Sequence, residues 1–146
     1  MKKWLAPVFG FVPFLYGVLA TYGINTLGAG AAFIMGPVLS VVFLVLWNRL
    51  AKIANFHLCS QKKTLLYMHI PGILVVVILC MNALAQEPFL FGFFQNLLLY
   101  YLIPVLPVSL LLSLFVQNVF FVYAITLFFM LCAAYMGCTS KRRHVK

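Results

Sequence analysis

Apolar residues run through this chain in five long stretches almost free of charge: 4–21, 29–47, 64–85, 89–116 and 119–138. Within each stretch the apolar positions are continuous and do not alternate, so they read as membrane-crossing helices rather than barrel strands. A crossing helix needs about 20 mostly apolar residues. The expected fold is therefore all-α: a polytopic integral membrane helical bundle with four to five transmembrane helices. The connections are short, and no repeat, linker or second domain interrupts a single membrane domain over 1–146.

The polar punctuation sets the orientation. Lys2 and Lys3 precede the first stretch; Arg49, Lys52, Lys62 and Lys63 fall in the segment 48–63; Lys141, Arg142, Arg143 and Lys146 fill the tail 139–146. Basic clusters beside apolar runs stay on the cytoplasmic side. The loop 48–63 and the N-terminus are then cytoplasmic, and the turn at 22–28 lies outside. The third stretch ends outside at Gln86-Glu87-Pro88, where no Lys or Arg occurs.

The second half contains a conflict. The basic tail belongs inside, which needs an odd number of crossings after the third stretch, yet two stretches remain. The stretch 89–116 holds about 28 residues, ~42 Å as a straight helix, and carries Pro104 and Pro107. Each proline removes a helical hydrogen bond and clashes with the preceding turn. One resolution is a re-entrant pair of half-helices that dips in and returns. The other is a kinked true span at about 97–116 that turns tightly at Gln117-Asn118 into a fifth crossing, with the tail outside. At the N-terminus, Lys2-Lys3, an apolar run and Val18-Leu19-Ala20 also imitate a secretory signal cleaved after Ala20.

Composition changes the picture mainly by exclusion. The chain of 146 residues is 66% hydrophobic and 8% charged, whereas a soluble domain is about half apolar and a quarter charged. A soluble fold this small cannot hide so much apolar surface. The net charge of +9 would suggest nucleic acid in a soluble protein, but the cations flank apolar runs and form no stripe. They fit attraction to the anionic cytoplasmic leaflet of the bilayer, at roughly 1 kcal/mol each. The expected location is the cytoplasmic (inner) membrane. The tryptophans and several tyrosines, Trp4, Trp47, Tyr22, Tyr67, Tyr100 and Tyr101, sit near expected membrane edges, where amphipathic rings settle.

Candidate chemistry is sparse. Gly28, Ala32, Gly36 and Ser40 recur at intervals of four, a stripe of small residues along one helix face. Such stripes let helix backbones approach closely in lipid, either in a dimer seam or within the chain. Ala133 and Gly137 are a shorter echo. Glu87, the single acid, lies at an outer end and, with Pro104 and Pro107, marks the place to look for gating or a backbone-lined cavity of the kind that broken helices form in transporters. Asn82, Ser109, Ser113 and Thr126 are the mid-depth polar residues, suited to bridging helices.

The other reactive residues form no recognisable set. His57, His69 and His144 lack the spacing of a metal or haem site. Cys59, Cys80, Cys132 and Cys138 form no Cys-x-x-Cys. No cofactor and no catalytic set is expected. Three functions follow. The first is a non-enzymatic accessory, immunity or assembly subunit that docks its helices on a membrane protein partner. The second is a small homo-oligomeric transporter or channel. The third is a lipid-modifying enzyme using Glu87, His57 or His69.

Overall fold

The computed structural model describes the backbone of residues 5–27, 29–85, 88–112 and 119–139. Among the described residues 94% are helical and none is in a strand. The described residues form seven helices in order: α1 (Leu5–Phe9), α2 (Val12–Leu27), α3 (Ala29–Leu58), α4 (Gln61–Ala85), α5 (Pro88–Leu102), α6 (Leu106–Leu112) and α7 (Val119–Thr139). Three segments of the described residues are long and apolar enough to cross a membrane: Ala6–Thr26, Phe33–Leu58 and Phe121–Thr139.

The first of these segments kinks between α1 and α2. Pro13 has no N–H for the Phe9 carbonyl, so the turn tightens there. Phe11 N–H donates to the Val8 carbonyl at 3.1 Å, and Gly10 N–H is shared between the Ala6 and Pro7 carbonyls at 3.1 Å.

The structure differs from the sequence reading at the second stretch. The helix does not end at Trp47 but continues to Leu58, giving 30 residues, ~45 Å long. Most of the expected loop 48–63 is thus helical, and only Cys59 and Ser60 connect α3 to α4. The reason is packing. Ala51 and Ala54 are fully buried, while Arg49, Lys52 and Ile53 face outward. The extension is amphipathic, and its small face lies on α7.

That contact sets the direction of α7. Asn48 Nδ2 donates to the Ala133 carbonyl and Asn55 Nδ2 donates to the Cys138 carbonyl, each at 2.9 Å. Residue numbers rise together along the two helices, so α3 and α7 run parallel. Gly137 lies directly against the Asn48 carbonyl, closer than any side chain would permit. The α4 helix runs antiparallel to both: Thr64 reaches Asn55 near the short turn, and the His69 ring meets Trp47 further along.

The fourth apolar stretch is broken. α5 and α6 are separated by a turn at Ile103–Val105, because Pro104 cannot donate to the Tyr100 carbonyl. Ile103 N–H closes α5 on the Leu99 carbonyl at 2.8 Å, and Val105 N–H turns back to Leu102 at 3.0 Å. The carbonyl of Tyr100, left without a helical donor, rests on Gly17 of α2, where no Cβ stands in the way. Tyr101, Leu102, Pro104 and Val105 are all buried, so this elbow sits inside the bundle. α5 packs between α2 and α4, and α6 between α3 and α7.

The elbow lies about halfway along the long helices. Tyr101 touches Phe14 (ring centroids 5.0 Å apart) and Gly72. Tyr16 meets Phe43 in turn (5.0 Å) and donates to the Leu39 carbonyl at 2.8 Å. Phe43, Trp47, Met68, Tyr101, Leu102, Val105 and Met130 form the core at this level.

Candidate functional site

The residues singled out from the sequence fall at separate places. Gly36 of α3 faces Pro107 of α6, whose Cβ would stand 3.2 Å from a Cβ built at Gly36. Ser40, one turn on, is buried and donates to the Gly36 carbonyl at 3.1 Å. Two features noted for different reasons, the small stripe and the second proline, thus meet in one internal contact. Gly28 and Glu87 lie outside the described residues, as does the side chain of Ala32. Pro104 forms the elbow. The Ser109 and Thr126 hydroxyls are hydrogen-bonded at 2.8 Å, which ties α6 to α7, and the Val122 carbonyl lies 2.8 Å from Thr126 Oγ1.

The arrangement with the most chemistry lies beside the elbow. A crevice of about 260 Å³ opens between α4 and α7, bordered by His69, Gly72 and Ile73, by Tyr101 at the end of α5, and by Leu127 and Leu131. Its wall is apolar: His69 and Tyr101 border it, but their polar atoms are buried and add almost no polar surface to it. Gly72 admits the Tyr101 ring: a Cβ there would come within 2.6 Å of Cε1. Ile73, Val77 and Leu131 are about half exposed, so the crevice faces the outside of the bundle.

Both polar residues are unusual for such a place. His69 is 7% exposed and Tyr101 fully buried. His69 Nδ1 is 2.9 Å from the Leu65 carbonyl. A carbonyl only accepts, so Nδ1 carries the proton, and Nε2 of the neutral ring is an acceptor. Among the described residues neither His69 Nε2 nor the Tyr101 hydroxyl has a hydrogen-bond partner. The Trp47 ring stands edge-on to His69 at 5.8 Å, and its Nε1–H is likewise unpartnered. An orphaned buried donor or acceptor forfeits about 1–3 kcal/mol.

Sequence reading found no metal or haem spacing at His69 and placed Tyr101 near a membrane edge. It missed their meeting, because they are far apart in sequence and share no spacing rule. The signal within reach was Gly72, one turn after His69, as a gap for a large neighbour. His57 lies at the end of α3 beside Phe56 (ring centroids 5.4 Å apart), away from the crevice. Among the described residues no three His, Cys, Asp or Glu side chains gather as a metal site. Compared with known proteins, the chain matches no family model, no curated protein and no solved structure.

Proposed function

We propose that the protein is a non-enzymatic multi-pass membrane protein with four crossings and a re-entrant hairpin, and that it binds and passes a small molecule at the elbow. The crossings are the α1–α2 segment, α3, α4 and α7. α5 enters from the outer side, turns at Ile103–Val105 and returns as α6. The parallel course of α3 and α7 supports this. It puts the end of α7 on the same side as the basic turn at Cys59-Ser60. Five crossings would make α3 and α7 antiparallel. The basic tail then joins the other cationic segments on the cytoplasmic side, as the distribution of Lys and Arg requires, and the membrane is the cytoplasmic (inner) one. Non-helical backbone at this depth is tolerated where protein or a cavity covers it, and the buried elbow meets that condition.

One observation carries the functional reading: two buried polar side chains without hydrogen-bond partners among the described residues border a crevice where a helix breaks at mid-length. Broken helices frame binding sites in transporters. The test is native extraction of wild type and of Val76→Trp, which fills the crevice, followed by mass spectrometry of bound molecules. The expected result is a stoichiometric small molecule in wild type, lost in Val76→Trp. No small molecule in either protein overturns the reading.

A second reading, docking on a membrane partner, is favoured by the outer face of α3. Ile34, Val38, Val41 and Val45 recur at alternating steps of four and three, and all are exposed. This is the spacing of a knobs-into-holes seam. A discrete protein adduct from a photo-crosslinker at Val41, without a bound small molecule, would favour it.

A further inference from the structure

We infer that the crevice holds one acyl chain of an anionic phospholipid from the cytoplasmic leaflet, with the lipid phosphate at Lys62. The inference rests on the crevice being a binding site, and it names the occupant. The lining from α4 and α7 (Gly72, Ile73, Val76, Val77, Leu127 and Leu131) presents almost no polar surface. A polar or charged molecule would give up its hydrogen bonds to water there without replacement, whereas a hydrocarbon chain gives up none. The crevice opens past Ile73, Val77 and Leu131, all about half exposed, toward the side where lipid lies. An apolar cavity of roughly 150 Å³ holds a benzene ring; on that scale about 260 Å³ takes a stretch of acyl chain of about ten carbons.

Depth and charge decide which lipid. Asn55 bonds to Cys138 of α7 and to Thr64 of α4, so the cytoplasmic ends of α3, α4 and α7 lie level. Along α4 the crevice runs from His69 to Val77, ~8 to ~20 Å beyond Thr64. The hydrocarbon core is ~30 Å thick, so this is the depth of the cytoplasmic-leaflet chains. Lys62, Leu66, His69 and Ile73 recur at steps of four, three and four, which puts Lys62 on the crevice face of α4, and it is exposed at the cytoplasmic end. On α7, Tyr135 continues the row of Leu127 and Leu131 and is about half exposed; such rings settle at headgroup level. The cytoplasmic mouth thus has a lysine on one helix and a tyrosine on the other. No carboxylate side chain occurs among the described residues, so Lys62 has no acidic partner there. A lipid phosphate supplies one, and the attraction is greatest for a headgroup of net negative charge.

The test uses the full chain in nanodiscs of phosphatidylglycerol and phosphatidylcholine, in equal parts and with the same acyl chains. Native mass spectrometry reads the lipid that stays bound. Wild type should keep one lipid, favouring phosphatidylglycerol about fivefold, the scale of one lysine beside anionic lipid. Lys62→Ala, at an exposed position, should keep the lipid and bring the ratio to within about twofold. Lys52→Ala removes the same charge from α3, which does not border the crevice, and should leave the ratio as in wild type. Val76→Trp fills the crevice and should lose the lipid. Equal retention of the two lipids by wild type, or an equal fall in the ratio for Lys52→Ala, overturns the headgroup assignment; loss of lipid in Val76→Trp would then keep the crevice as an apolar site. No retained lipid in wild type overturns the inference as a whole. A different stoichiometric molecule in the native extract would in that case preserve the binding-site reading, and an empty extract would end both.

Discussion

Replacing Gly137 with alanine probes the seam that fixes the direction of α7. A Cβ at Gly137 overlaps the Asn48 carbonyl and stands 3.1 Å from the Ala51 Cβ. The carbonyl belongs to the interior backbone of α3 and cannot rotate aside, so the helices must part. Parting lengthens the Asn48–Ala133 and Asn55–Cys138 hydrogen bonds, both 2.9 Å. Hydrogen bonds between membrane helices average about 0.6 kcal/mol. Overpacking a close-packed contact adds typically 1–3 kcal/mol. The sum is a loss of about 2–4 kcal/mol for one methyl group. Gly23→Ala is the control, since no described atom lies within 4 Å of its Cβ position. There alanine is the better helix former, by up to about 1 kcal/mol. Unfolding in mixed micelles, followed by circular dichroism, measures both. Equal midpoints for Gly137→Ala and Gly23→Ala would refute the seam.

Other perturbations test neighbouring contacts. Cys59 has a φ of 52° just after α3 ends, a left-handed position where helices usually place glycine; Cys59→Gly should raise stability by about 0.5–1 kcal/mol in the same micelle assay. Ser109→Ala and Thr126→Val should show a coupling of about 0.6 kcal/mol in a double-mutant cycle, because one hydrogen bond joins them; additive effects would mean that α6 is not held to α7 there.

The apolar runs made several elements legible. The stretch 119–138 matches α7, and the break in 89–116 follows from Pro104, whose missing N–H is a property of the residue itself. Ala133, paired in the sequence with Gly137, does face another helix closely. The far end of α3 was not legible in the same way. A run-length criterion stops where Asn48 and Arg49 appear, although the helix goes on with its small face against α7. Asn48 and Asn55 look like loop residues until their acceptors, more than eighty positions away, are known. The crevice was hidden for the same reason: His69 and Tyr101 belong to different helices, and only the tertiary fold brings them to one wall. Gly17 and Gly72 gave little warning, since a lone glycine carries no period.

The central claim is that α7 runs parallel to α3, with α5 and α6 returning to the side they entered. Sidedness of single cysteines tests it directly. With Cys80, Cys132 and Cys138 changed to alanine, a membrane-impermeant maleimide is applied to sealed right-side-out and inverted vesicles. Three variants are compared: one keeps Cys59, and the other two carry Gly30→Cys or Thr139→Cys in its place. The account predicts that Cys59 and Thr139→Cys label from the cytoplasmic side and Gly30→Cys from the opposite side. Labelling of Thr139→Cys together with Gly30→Cys would mean five crossings and would contradict the re-entrant hairpin.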